Sequence, residues 1–175
     1  MIFHYAGKYN GDENSLPYKE HNPNAIPFKE PKDMKKYSLI ANLGCVLIMI
    51  VLVIPFLLMG IKYIPNSKIQ MVAGGICGGL SMFPHELLHA VCFKKDVYLY
   101  NELIHGLMFV VGTEDMSKAR FIFMCLCPNL ILGIIPYILF LIFQQFVAVG
   151  LFRIICIGSG FGDYLNIYSS IRQMP

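Results

Sequence analysis

Two histidines and a glutamate stand in an otherwise apolar stretch, Met-Phe-Pro-His-Glu-Leu-Leu-His-Ala-Val-Cys-Phe, residues 82–93. Ionisable groups in such a segment disfavour membrane insertion by roughly 2–3 kcal/mol each, so their presence demands a compensating partner. On an α-helix, positions i and i+4 share one face. His85 and His89 can therefore aim both imidazoles at one point, with Glu86 beside them. The spacing is H-E-x-x-H, in which two neutral imidazoles bind Zn2+ and the glutamate takes a proton from a zinc-activated water. The competing reading is a pair of histidines satisfied by carbonyls at a helix end.

A catalytic zinc takes three protein ligands and keeps one position open. The long form H-E-x-x-H-x-x-G-x-x-H is excluded, because Cys92 and Lys95 occupy the places of its glycine and last histidine. Asp163 is the leading third ligand. It stands alone in Gly-Ser-Gly-Phe-Gly-Asp-Tyr-Leu-Asn-Ile-Tyr, a second carboxylate in an apolar setting, where burial without a partner is costly. Gly158, Gly160 and Gly162 around it would let helices close on an ion. Glu114 competes, 25 residues after His89, but Gly-Thr-Glu-Asp-Met-Ser-Lys reads as a solvated loop. Glu102, His105 and Asp115 belong to the same connection, and His4 and His21 to a polar tail. Asn129 or Asn166 would steady an oxyanion or a substrate backbone.

The elements that must position these groups follow from composition. With 56% hydrophobic residues, 14% charged residues and no Trp, the chain is an integral membrane protein. Its net charge of +3 contains no basic run long enough for nucleic acid. The six cysteines lie almost entirely in apolar stretches without a C-x-x-C pair and read as packing residues rather than a disulfide framework.

Four runs are long enough to cross a bilayer, which takes about 20 apolar residues. They are residues 38–61, about 69–93 with the histidine motif, about 121–143, and about 146–168, the last two joined through Gln144 and Gln145. The expected fold is thus all-α, four transmembrane helices with a short β-hairpin-like cytoplasmic connection. That hairpin is Asp-Val-Tyr-Leu-Tyr and Leu-Met-Phe-Val-Val around Asn-Glu-Leu-Ile-His-Gly, with an edge on which an extended substrate could pair.

The second and fourth spans run the same way, and His85 and Asp163 lie 16 and 17 residues into them. At 1.5 Å per residue both reach about the same depth, roughly 24–26 Å. Gly74 with Gly78, and Gly75 with Gly79, form small-xxx-small pairs for close helix packing. Pro84 removes a backbone hydrogen bond just before His85 and predicts a kink, as do Pro128 and Pro136 in the third span. Arg153 reads as snorkelling to the outer face.

Residues 1–37 hold six Lys, five acidic residues and four prolines, the composition of a polar cytoplasmic tail ahead of a membrane domain at 38–175. No charged start followed by an apolar core and a small-residue cleavage site is visible, so no cleaved signal peptide is expected. Lys32, Lys35 and Lys36 sit where they could meet anionic headgroups or act as topogenic charge. Lys94, Lys95, Lys118, Arg120 and Arg172, set against Lys62 and Lys68, put both termini in the cytoplasm of a multi-pass protein.

The His-Glu-Leu-Leu-His span, charged connection and later Asp-bearing helix resemble intramembrane zinc metalloproteases of the site-2 protease type. More closely, the size and the HELLHA and GDYLNIY segments are similar to a family of small bacterial membrane proteins described as zincin peptidases, over roughly residues 38–170. The resemblance implies zinc on His85, His89 and Asp163, catalysis by Glu86, and a peptide or membrane-protein substrate. It departs at Asn166, because site-2 proteases typically carry Asn-x-x-Pro-x-x-x-Leu-Asp-Gly where this chain has Gly-Phe-Gly-Asp-Tyr-Leu-Asn. Two other classes fit the residues, a non-catalytic metal-binding or accessory membrane protein and a scaffold without metal.

The charge distribution makes orientation testable. Cysteine-accessibility labelling should find positions near Asn66 outside and positions near Tyr100 and the C-terminus in the cytoplasm, and the opposite pattern would invert the topology.

Overall fold

The computed structural model describes residues 2–20, 34–58, 66–102, 107–143 and 147–175. His21, Lys32, Lys62, His105, Gln144, Gln145 and the middle of the Asn-Glu-Leu-Ile-His-Gly turn lie outside the described residues. The chain runs β1 (Ile2–Lys8), a short 3-10 turn (Glu13–Ser15), α1 (Met34–Leu58), α2 (Ser67–Leu80), α3 (Met82–Val91), β2 (Asp96–Glu102) and β3 (Leu107–Gly112). Then follow α4 (Lys118–Pro128), a π-helical segment (Asn129–Ile134), α5 (Ile135–Phe143), α6 (Val147–Ser159) and α7 (Phe161–Gln173).

Among the described residues, three helical runs are long and apolar enough to cross a membrane, Leu39–Leu58, Lys118–Phe143 and Val147–Gln173. The expected second span is instead delivered as α2 and α3, which meet at Ser81. The reason is local. Pro84 has no N–H for the Leu80 carbonyl, so the regular ladder is interrupted here, and the chain makes a tight turn in which the Ser81 N–H and hydroxyl both donate to the Gly78 carbonyl, at 3.2 and 2.6 Å. The helix resumes at once, with the His85 N–H on the Ser81 carbonyl at 2.9 Å.

One apolar cluster joins α1, α5 and α6 through Phe56, Tyr137, Phe140, Val147, Ile154 and Ile157. A second, of Ala90, Phe93, Val97, Met124 and Cys125, packs the end of α3 against β2 and α4. Gly74 and Gly78 supply the close approach between α2 and α6. A methyl group at either would strike Ala148 backbone or the Ile155 side chain, whereas Gly75 and Gly79 face open space. Only the first of the two small-residue pairs packs.

The hairpin forms as the pattern predicts, β2 pairing antiparallel with β3 from Val97 opposite Gly112 to Glu102 opposite Leu107. The all-α expectation and the tail reading need correction at the other edge, where β1 adds a parallel strand to β2 in the order β1-β2-β3. Ile2, Phe3 and Tyr5 are good strand formers, but averaging over a charged, proline-rich stretch of 37 residues hides seven of them. A bulge between Tyr5 and Gly7 shifts the register by one residue before pairing resumes at Gly7 opposite Tyr100, and Gly7 takes φ +83°, which suits glycine. His4 fixes the pairing by meeting Asp96 at 3.0 Å and stacking on Tyr98.

Glu114 ties this layer to the helices. Its carboxylate accepts the N–H groups of Lys94 (2.9 Å) and Lys95 (2.8 Å) and pairs with Arg120, whose guanidinium also donates to the Cys92 carbonyl at 2.6 Å. Burial would raise its pKa, but the two amides and the guanidinium outweigh that and hold the carboxyl below the usual glutamate value. A lowered carboxyl pKa contributes stability that is present above the unfolded value of about 4.3 and is lost as pH falls through the folded value. Glu114→Gln should therefore lower thermal stability in detergent by on the order of 1 kcal/mol at pH 7 and flatten the loss seen below about pH 4.5. An unchanged melting curve with the same acid-side slope would contradict this.

Candidate metal centre

Three elements carry the site. α3 presents His85, Glu86 and His89 on adjoining faces, and their ligand atoms lie within 4.8 Å of one another. α7 brings Asp163 in its first turn, where a carboxylate is favoured by the unpaired N–H groups and dipole of the helix start. The carboxylate spans both imidazoles, with Oδ2 3.0 Å from His85 Nε2 and Oδ1 3.2 Å from His89 Nε2. The two rings stand 4.9 Å apart at 74°. All four side chains are largely sequestered, Glu86 at 8% and His89 at 6% exposure.

The α4 helix and its π-helical continuation aim these groups, through carbonyls that the break in the regular helix ladder leaves free. Pro128 has no N–H for the Met124 carbonyl, which instead accepts from His89 Nδ1 at 3.0 Å. In the neutral ring that bond puts the proton on Nδ1 and leaves Nε2, 3.2 Å from Asp163 Oδ1, as the atom available to a metal. The Asn129 main-chain N–H turns to the Leu126 carbonyl, and the released Cys125 carbonyl accepts the Asn129 side-chain amide at 3.0 Å. The second proton of that amide goes to Asp163 Oδ2 at 2.7 Å, while Asn129 Oδ1 accepts from the Tyr164 hydroxyl at 3.2 Å.

Asn129 is fully buried, and Gly160 is what makes room for it, since any β-carbon there would collide with the Asn129 amide. With both amide protons committed, Asn129 holds the carboxylate and has none to give an oxyanion. Asn166 is turned elsewhere, its Oδ1 accepting from the Tyr37 hydroxyl at 3.3 Å. The anchors of Asp163 and His89 were thus not assigned from the sequence. The visible signal was the Pro128-Asn129 pair inside an apolar run, which marks a break in the hydrogen-bond ladder without naming its new partners.

Three of the remaining candidates, among the described residues, are engaged or placed elsewhere. Glu114 is committed to the connection after α3, Asp115 is exposed, and His4 pairs with Asp96 in the sheet. The main-chain N–H of Val110 in β3 lies near the Glu86 carboxyl, which sets the hairpin beside the acidic group.

The residues fit a zinc ion. Ligands at 2.0–2.1 Å in a tetrahedron are about 3.3 Å from one another, close to the 3.0 and 3.2 Å between carboxylate oxygens and imidazole nitrogens here. A neutral His89 also sets lone pair against lone pair at Asp163, an arrangement that a shared cation relieves. Two imidazoles, one carboxylate and an adjacent second carboxylate are the donor set of a catalytic rather than a structural zinc.

No curated protein and no solved structure matches the chain. A family model described as putative zincin peptidase matches residues 79–175, which include α3, the hairpin, α4 and α7 and therefore every residue of the centre. That match covers more than half of the chain, and the protein belongs to this zincin peptidase family.

Proposed function

We propose that the chain is an intramembrane zinc metallopeptidase that hydrolyses peptide bonds of a membrane-associated protein or peptide, with His85, His89 and Asp163 as metal ligands and Glu86 as the catalytic acid–base. The observation that carries it is the single Asp163 carboxylate spanning both histidine Nε2 atoms. When bound, zinc supplies a Lewis acid that polarises the scissile carbonyl and lowers the pKa of water.

The rest of the work belongs to the chain. A Glu86 carboxylate oxygen takes a proton from the attacking water and returns it to the leaving amine nitrogen, so one group serves as base and then as acid. It lies beside Val110 of the hairpin, where the outer edge of β3 offers main-chain groups to an extended substrate. That mode suits hydrolysis, which needs an exposed peptide bond rather than one closed into a helix. His89 is held in the ligand tautomer by Met124, and Asp163 is oriented by Asn129.

In this reading α2 and α3 together form one of four spans, beside α1, the α4–α5 run and the α6–α7 run. Residues 1–37 and both termini lie on the cytoplasmic side, and residues 38–175 form the catalytic membrane domain.

Glu86→Gln separates catalysis from metal retention, because the amide keeps the shape and loses the proton-accepting oxygen. It should retain zinc at the wild-type stoichiometry and lower the rate on any peptide that the wild type cleaves by at least about 100-fold. Wild-type turnover in that variant would exclude the mechanism and leave metal binding without this chemistry.

A further inference from the structure

Arg153 is a guanidinium in the middle of α6, inside a run apolar enough to cross a membrane, and such a placement needs a strong reason. Its head group is held by the neighbouring helical run. Its Nη1 donates to the Leu132 carbonyl at 2.8 Å, and its guanidinium lies over the Phe152 ring. Leu132 belongs to the π-helical segment Asn129–Ile134, in which the Ile135 N–H reaches back five residues to the Leu130 carbonyl. Four residues beyond Leu132 stands Pro136, which has no N–H to offer it.

Three carbonyls between Pro128 and Pro136 or just before them are thus taken by side chains. Met124 receives His89, Cys125 receives Asn129, and Leu132 receives Arg153. The first two side chains belong to the metal centre or touch it. The third closes the far end of the same irregular segment, one turn beyond Asn129. A π-turn inserts an extra residue and rotates the helix before it relative to the helix after it, so its persistence decides which way Asn129 faces.

We propose that Arg153 is a positioning residue of the metal centre: by satisfying the Leu132 carbonyl it holds the π-turn that keeps Asn129 on the Asp163 carboxylate. This rests on the zinc reading above. Arg153 touches neither metal nor substrate, and its effect passes wholly through Asn129. Gly133, packed on Ile157, seats the same segment closely against α6.

The test is the zinc dissociation constant of detergent-purified protein, measured by chelator competition, with the visible spectrum of the cobalt-substituted protein as a second readout. R153M should weaken zinc binding about tenfold, at the lower end of the range for supporting residues, and shift the cobalt bands. R153K, which keeps a donor for Leu132, should stay within about threefold of wild type. R153Q, whose shorter amide falls short of Leu132, is the second loss variant should R153M not fold. N129A should weaken binding by a similar factor, and the R153M/N129A double variant should add little further, since both act on one carboxylate. Fully multiplicative losses, or wild-type affinity and spectrum in R153M and R153Q, would overturn the role of Arg153 while leaving the centre intact. Wild-type protein that binds no zinc would instead remove the centre, and this inference with it.

Discussion

A carboxylate set between two imidazole nitrogens, inside helices built for hydrocarbon, is the constraint on which the rest of the structure depends. Asp163 cannot hold its charge there without a positive partner, and His89, with Nδ1 bound to the Met124 carbonyl, turns Nε2 toward it at 3.2 Å. Either protons or a metal ion must resolve the arrangement, and the donor set and separations suit zinc. Much of the surrounding fold can be understood as what it takes to bring α3 and α7 to one point. α6 packs on glycines of α2, Gly160 clears space for Asn129, and Glu114 braces the connection that follows the histidine helix.

Prolines organise that assembly by subtraction. In lipid, a main-chain carbonyl without a partner is expensive, so each proline in a membrane helix obliges a side chain or a local turn to take the place of the missing N–H. Pro84 leads to the turn at Ser81 that separates α2 from α3. Pro128 releases the carbonyl that orients His89, and the π-helical segment after it releases the one that orients Asn129. The same irregularity that would be a defect in a plain membrane anchor here becomes a set of hydrogen-bond acceptors facing the centre.

This explains what could be read from the residues and what could not. His85, Glu86 and His89 announce themselves because their spacing matches the helical repeat, and Asp163 because a lone carboxylate in an apolar run needs a partner; their similar distances into two apolar runs lead one to expect the convergence, and the structure brings Asp163 within 3.0 and 3.2 Å of the two imidazoles. The hairpin at Asp96–Gly112 was legible from alternation and the intervening Asn and Gly. The first strand was not, since its pairing with β2 is non-local and its seven residues are diluted by a charged neighbourhood. Asn129 was visible as a polar residue in the third span, but its partners depend on a π-turn, and helical periodicity assumes the regular ladder that the π-turn breaks. Glu114 looked like a solvated loop residue because sequence shows its charged neighbours and not the two amides that fold back onto it.

The central claim is that Asp163 completes a metal centre with the two histidines, and the most direct measurement is elemental analysis of detergent-purified wild-type protein beside Asp163→Ala. The predicted result is about one zinc per chain in the wild type and well under one in the variant. Wild-type protein without zinc, or an Asp163→Ala variant that retains its full complement, would contradict it.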